Sequence, residues 1–109
     1  MAYDENLAER LMEAVSDEPD ITSRKMFGGF AVMWRGNMLA GVMGEDLMAR
    51  VGPHAFDELL ALPEAREMDF TGKTMKGMVI VSGSALSDED ALDEWIARAK
   101  AFVATLPAK

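Results

Sequence analysis

Chemistry needs side chains that ionise, coordinate or attack, and this 109-residue chain offers few of them. His54 is the only histidine and there is no cysteine. Thiolate metal sites, thiol nucleophiles and disulfides are therefore excluded, and a reducing cytoplasm is the expected compartment. A metal site built on one imidazole would need carboxylates converging on it. His54 follows Pro53 at a predicted helix start and reads instead as a surface or capping residue. Ser16, Ser23, Ser82, Ser84 and Ser87 sit in turn or cap contexts, and none lies in a Gly-x-Ser-x-Gly elbow. Asp88-Glu89-Asp90 and Asp93-Glu94 supply carboxylates. General acid–base work requires one desolvated member, and these acids fall on the wet face of a predicted helix. Gly28-Gly29 lacks the Gly-x-Gly-x-x-Gly spacing of a phosphate cradle and leads into a strand. A bulge or a close backbone approach at the strand start suits the pair better. No metal or cofactor is implied, and the chain is expected not to be an enzyme.

With catalysis set aside, charge is the next signal. The formal net charge is −8. Residues 1–20 hold seven acids and one base, Arg10, whereas residues 21–56 hold Arg24, Lys25, Arg35 and Arg50 against Glu45 and Asp46. An acidic shell opposes the phosphate neutralisation that dominates nucleic-acid affinity. Direct nucleic-acid binding is not expected, and 24–50 is the one segment suited to an anionic surface. No apolar run approaches the ~20 residues that span a bilayer, so no membrane role is expected. The acidic N-terminus, Met1 to Glu5, lacks the basic-then-apolar form of a signal peptide.

The elements that must position these residues follow from periodicity. Leu7, Leu11 and Val15, widened by Ala8 and Met12, make a helical stripe over 4–16, with Asp4 as N-cap and Pro19 beyond its end. Residues 24–51 switch to a period of two: Phe30, Val32 and Trp34 share one strand face, and Ala31 and Met33 the other. Arg35-Gly36-Asn37 and Gly44-Glu45-Asp46 are turn signals, the first because Gly and Asn tolerate positive φ. Two further strands, Met38 to Met43 and Leu47 to Val51, complete an antiparallel meander. Gly52-Pro53 opens a short helix through Phe56, Leu59 and Leu60. A short strand around Met68-Asp69-Phe70 and a longer one from Met75 to Ser82 follow. The last helix starts at Ser87 as N-cap and carries Leu92, Trp95, Ile96, Ala99, Phe102, Val103 and Leu106 in one stripe, closed by Pro107. The order α-β-β-β-α-β-β-α predicts an α+β fold, helices packed on an antiparallel sheet, as a single domain over 1–109. Of the ten methionines, Met12, Met33 and Met78 are expected in the core, and Met26, Met43 and Met48 on an exposed patch.

The string Arg24-Lys25-Met26-Phe27-Gly28-Gly29-Phe30, followed by Gly36, the apolar strand Met38 to Met43, Leu47 and Arg50, resembles the N-terminal domain of the TfoX/Sxy family of bacterial competence regulators. So does Met75-Lys76-Gly77-Met78 leading to a Trp-containing final helix. The resemblance implies a secretion-chaperone-like fold, α-β(3)-α-β(2)-α, often paired as dimers. Full-length members act as transcription co-regulators beside the cAMP receptor protein and carry a second, C-terminal domain. The chain is therefore expected to be a stand-alone copy of the N-terminal domain. The family supplies no catalytic residues.

Two readings of the motif stand side by side. In one, Arg24, Lys25, Met26, Phe27, Gly28 and Gly29, together with Arg50, form an interaction surface. In the other, Phe27 and Phe30 pack in the core while the glycines permit a bulge. The function expected is a non-enzymatic regulatory domain acting through a protein partner, transcription machinery among the candidates, or through a second copy of itself. The alternative is a small-ligand or peptide-binding domain using a pocket between sheet and helices.

Overall fold

The computed structural model describes residues 3–26, 28–70 and 73–108, with side chains for all of these except 26, 68–70 and 73–76. Helix α1 (Glu5–Ala14) starts at Asp4, whose carboxylate accepts from the Asn6 and Leu7 amides. This satisfies two of the donors that a helix start leaves free. Four strands follow: β1 (Ile21–Met26), β2 (Gly29–Trp34), β3 (Asn37–Met43) and β4 (Asp46–Arg50). Helix α2 (Pro53–Leu60), β5 (Ala65–Phe70), β6 (Lys73–Val81), a 3-10 turn (Gly83–Leu86) and α3 (Glu89–Val103) complete the chain. The six strands form one antiparallel sheet in the order β1-β2-β3-β4-β6-β5. The α+β class and the meander are as expected, with one strand more: β1 precedes the first strand read from periodicity.

The three helices share one face of the sheet. Leu7, Leu11 and Val15 of the first helical segment, Phe56 and Leu59 of α2, and Leu92, Trp95, Ile96, Ala99 and Val103 of α3 join Val32, Val42, Leu47, Ala49, Val79 and Val81 in one buried cluster. Leu39 and Ala40 both enter it, because the β2–β3 register shifts after Val32 and leaves Leu39 as an extra residue in β3. A bulge of this kind turns two successive side chains toward one face. The other face carries a smaller cluster, Met48, Met78 and Ile80, with Met38 and Met43 half-buried against it. Met78 is therefore buried, but on the face away from the helices, and Met48 is 3% exposed, so it is not part of an open patch. Met33 is half-buried, and by the alternation of β2 it lies on the same side as Ala31. The side chain of Met26 lies outside the described residues.

Local signals moved by a residue or two. Trp34 pairs with Asn37, and positive φ falls on Arg35 (+52°) and Gly36 (+83°), the pattern of a type I′ hairpin. Asn37 is not needed for the turn. It is buried at 3% exposure, and its side-chain amide donates to the Pro107 carbonyl at 2.9 Å, tying the chain's end to the hairpin. Helix α3 is capped by Asp88, which accepts from the Asp90 amide, rather than by Ser87, which closes the 3-10 turn.

Candidate protein-interaction site

Strand β1 forms because Ile21, Thr22 and Ser23 follow the Pro19-Asp20 break and pair in unbroken register with β2, Ile21 opposite Trp34 through Met26 opposite Gly29. Gly28, at φ +73°, lies in the connection between them, so it serves a tight hairpin. Of the bulge or close approach expected at the strand start, no bulge interrupts the β1–β2 register. Phe27, the other residue of that connection, lies outside the described residues. The hairpin makes β1 an edge of the sheet.

Pairing fixes which way each β1 residue faces. One row across all six strands reads Arg24, Ala31, Gly41, Met48, Ile80, Arg66, and it lies on the face away from the helices. Arg66 at its far end is neutralised by Asp46 at 2.6 Å. The neighbouring row reads Lys25, Phe30, Val42, Leu47, Val81, Ala65, on the helix face. Arg24 and Lys25 thus project to opposite faces of one edge strand. Both are exposed, and among the described residues neither forms an ion pair.

The backbone of β1 has a definite phase. The Asp20 carbonyl accepts from the Arg35 amide at 3.0 Å, which makes Asp20–Arg35 a hydrogen-bonded pair. In an antiparallel ladder such pairs alternate, so Thr22 and Arg24 turn their amides and carbonyls toward β2. Ile21, Ser23 and Lys25 turn theirs outward to the free edge.

The helix layer stops short of this strand. On the helix face Ser23 and Lys25 are exposed, whereas their row partners Val32 and Val42 on β2 and β3 are fully buried. Beside them lies a groove of about 400 Å³ lined by Tyr3, Glu5, Ala8, Glu9, Met12 and Phe30. The Tyr3 and Phe30 rings are 5.7 Å apart, within the range of favourable aromatic pairs. Glu5 and Glu9 are exposed and, among the described residues, unpaired with any cation. The groove combines apolar walls with an acidic rim.

Arg50 does not join the hairpin. It sits three strands away, about 14 Å at the usual strand spacing. Its guanidinium is drawn to the end of the sheet, donating to the Met38 carbonyl at 3.4 Å and lying 5.6 Å from the Phe102 ring. His54 is exposed at the start of α2. Among the described residues no three His, Cys, Asp or Glu side chains converge as a metal site would require, and no helix is long and apolar enough to cross a membrane.

A family model described as the TfoX N-terminal domain matches residues 13–103. The chain belongs to the TfoX N-terminal domain family. No curated protein and no solved structure matches it. The matched residues of this TfoX domain contain the whole sheet, the β1–β2 hairpin, α2 and α3. Five of the six groove residues, Tyr3 to Met12, precede them.

The groove and the free edge escaped the sequence reading. Only breakers marked the edge strand: Pro19-Asp20 and Gly28-Gly29 bound residues 21–26, which carry no hydrophobic period. Nothing in one dimension places Tyr3 beside Phe30.

Proposed function

We propose that this TfoX N-terminal domain is a non-enzymatic interaction module that acts on transcription through a protein partner, in the cytoplasm, with the β1 edge as its contact surface. The observation that carries this reading is the pair of exposed, unpaired cations on a free edge strand of a chain whose net charge is −8. Uncovered edges invite strand pairing, and cations there favour an acidic protein surface while the acidic remainder discourages non-specific contacts. Membership of a family that includes competence regulators points to transcription as the setting. The same acidic remainder opposes direct DNA binding, since affinity for the duplex rests on phosphate neutralisation.

The test is affinity capture with the wild-type chain and with an Arg24→Glu/Lys25→Glu variant, followed by identification of what is retained. A transcription factor or polymerase component held by the wild type and lost from the variant is expected. A partner held equally by both, or one with no connection to transcription, contradicts the proposal. Sedimentation of the free chain covers the competing occupant: a dimer broken by the same two substitutions would assign the edge to a second copy.

A further inference from the structure

Strand β1 offers more than two charges. Its outward-facing amides and carbonyls at Ile21, Ser23 and Lys25 form an unused half-ladder, and on the uncovered helix side of the strand Lys25 pairs with Phe30, a wall of the Tyr3–Phe30 groove. The two features lie on one element and have complementary requirements. A strand hydrogen-bonded to β1 would send alternate side chains to the groove and the intervening ones to the open sheet face beside Arg24.

We infer that the β1 edge receives an extended segment of a partner protein as a seventh strand, with a large apolar side chain in the groove, a lysine or arginine against Glu5 and Glu9, and an acid on the opposite face against Arg24. This rests on the reading of β1 as the contact surface and adds the form of the ligand. Charge selects the arrangement. The groove side presents two glutamates on α1, inside a twenty-residue stretch that holds seven acids and one base, and these outweigh the single β1 cation on that side, Lys25, whereas the sheet side presents an arginine without a counter-ion. The apolar anchor is required because Tyr3, Ala8, Met12 and Phe30 supply a wall that only an apolar group can dehydrate favourably. A second copy fits poorly. From the helix-facing row its β1 would offer Ser23 and Lys25, neither of which fills an aromatic-walled groove, since Ile21 of that row is already packed against its own core, and it would bring its own acidic α1 against the first.

The experiment uses the full chain and a short fluorescent peptide in which Phe and two Lys share one alternating face and Glu and Thr occupy the other. A control peptide of the same composition places Glu on the Phe face and Lys opposite. Fluorescence anisotropy is expected to show the first peptide binding, and the control about tenfold more weakly, since a one-face exchange of charge sets attraction against repulsion. Ser23→Pro removes an outward amide that the β1–β2 ladder does not use, a position where proline is tolerated on an edge. It is expected to weaken binding at least about tenfold, the order of a lost backbone bond plus a steric block. Glu5→Lys/Glu9→Lys, on the exposed rim of α1, is expected to do the same and keeps the test decisive if Ser23→Pro fails to fold. Equal binding of the two peptides, no binding of either, or binding indifferent to both variants overturns the inference. So does a dimer that Ser23→Pro dissociates. If Arg24→Glu/Lys25→Glu releases the captured partner while Ser23→Pro does not, the contact surface stands and strand addition falls.

Discussion

At the residue scale, glycines mark where the backbone itself is the constraint. Gly52 ends the crossing from β4 to α2 at φ +86°, and a Cβ there would stand 2.3 Å from the Phe102 ring. Both its conformation and its space are denied to any other residue. Gly52→Ala is therefore expected to cost about 2–4 kcal/mol, combining a left-handed backbone with an overpacked contact. Urea unfolding would show a lower midpoint at unchanged slope. Gly41 is a different case: its φ is unremarkable, but a Cβ would lie 2.6 Å from the Phe30 carbonyl oxygen and 2.7 Å from the Met48 Cε, so backbone and methionine both approach too closely for a side chain. Arg50 shows how a residue chosen from a motif can be structural. Its guanidinium spans the Met38 carbonyl and the Phe102 ring, stitching the end of the sheet to α3 rather than facing a partner with Arg24.

At the scale of elements, the chain was legible wherever burial imposed a period. The stripe from Leu92 to Val103 became α3, the alternation from Phe30 to Trp34 became β2, and the all-apolar Met38 to Met43 became β3, covered on both faces. β1 was not legible because an edge strand with polar residues on both faces carries no hydrophobic period; only its breakers mark it. Cap positions slipped for a related reason. Ser87 and Asp88 are both competent, and the choice depends on whether the preceding turn consumes Ser87, which it does. Asp88→Ala is accordingly expected to destabilise by about 1 kcal/mol, the usual worth of an N-cap, whereas Ser87→Ala should leave the midpoint of thermal unfolding nearly unchanged. The candidate site was half legible. Arg24 and Lys25, singled out from the motif, are exposed on β1, but the groove joins Phe30 to residues 18 or more positions before it (Met12 at the nearest), and pairing of that kind is set by packing alone.

At the scale of the molecule, the two faces of the sheet differ in kind. One is covered by three helices whose exposed surfaces carry nine of the nineteen acids; the other is closed over its centre by Met48, Met78 and Ile80. Within the helix layer, ion pairs join α3 to α1 and to the turn after it, Arg10 with Glu89 at 2.9 Å and Lys100 with Glu18 at 2.6 Å. Each partly exposed pair contributes at most about 1 kcal/mol, so the helices are held mainly by the shared core. Of the sheet's two edge strands, β1 and β5, β1 is the one whose exposed cations, Arg24 and Lys25, are unpaired among the described residues, whereas Arg66 of β5 is held by Asp46. Amide hydrogen exchange of the chain alone and in complex with its captured partner tests β1 as the contact surface most directly. Ile21, Ser23 and Lys25, whose amides point to the free edge, are expected to gain protection in the complex, while Thr22 and Arg24, already bonded to β2, change little. A complex in which the β1 amides exchange as they do in the free chain, with protection appearing instead elsewhere on the molecule, would contradict it.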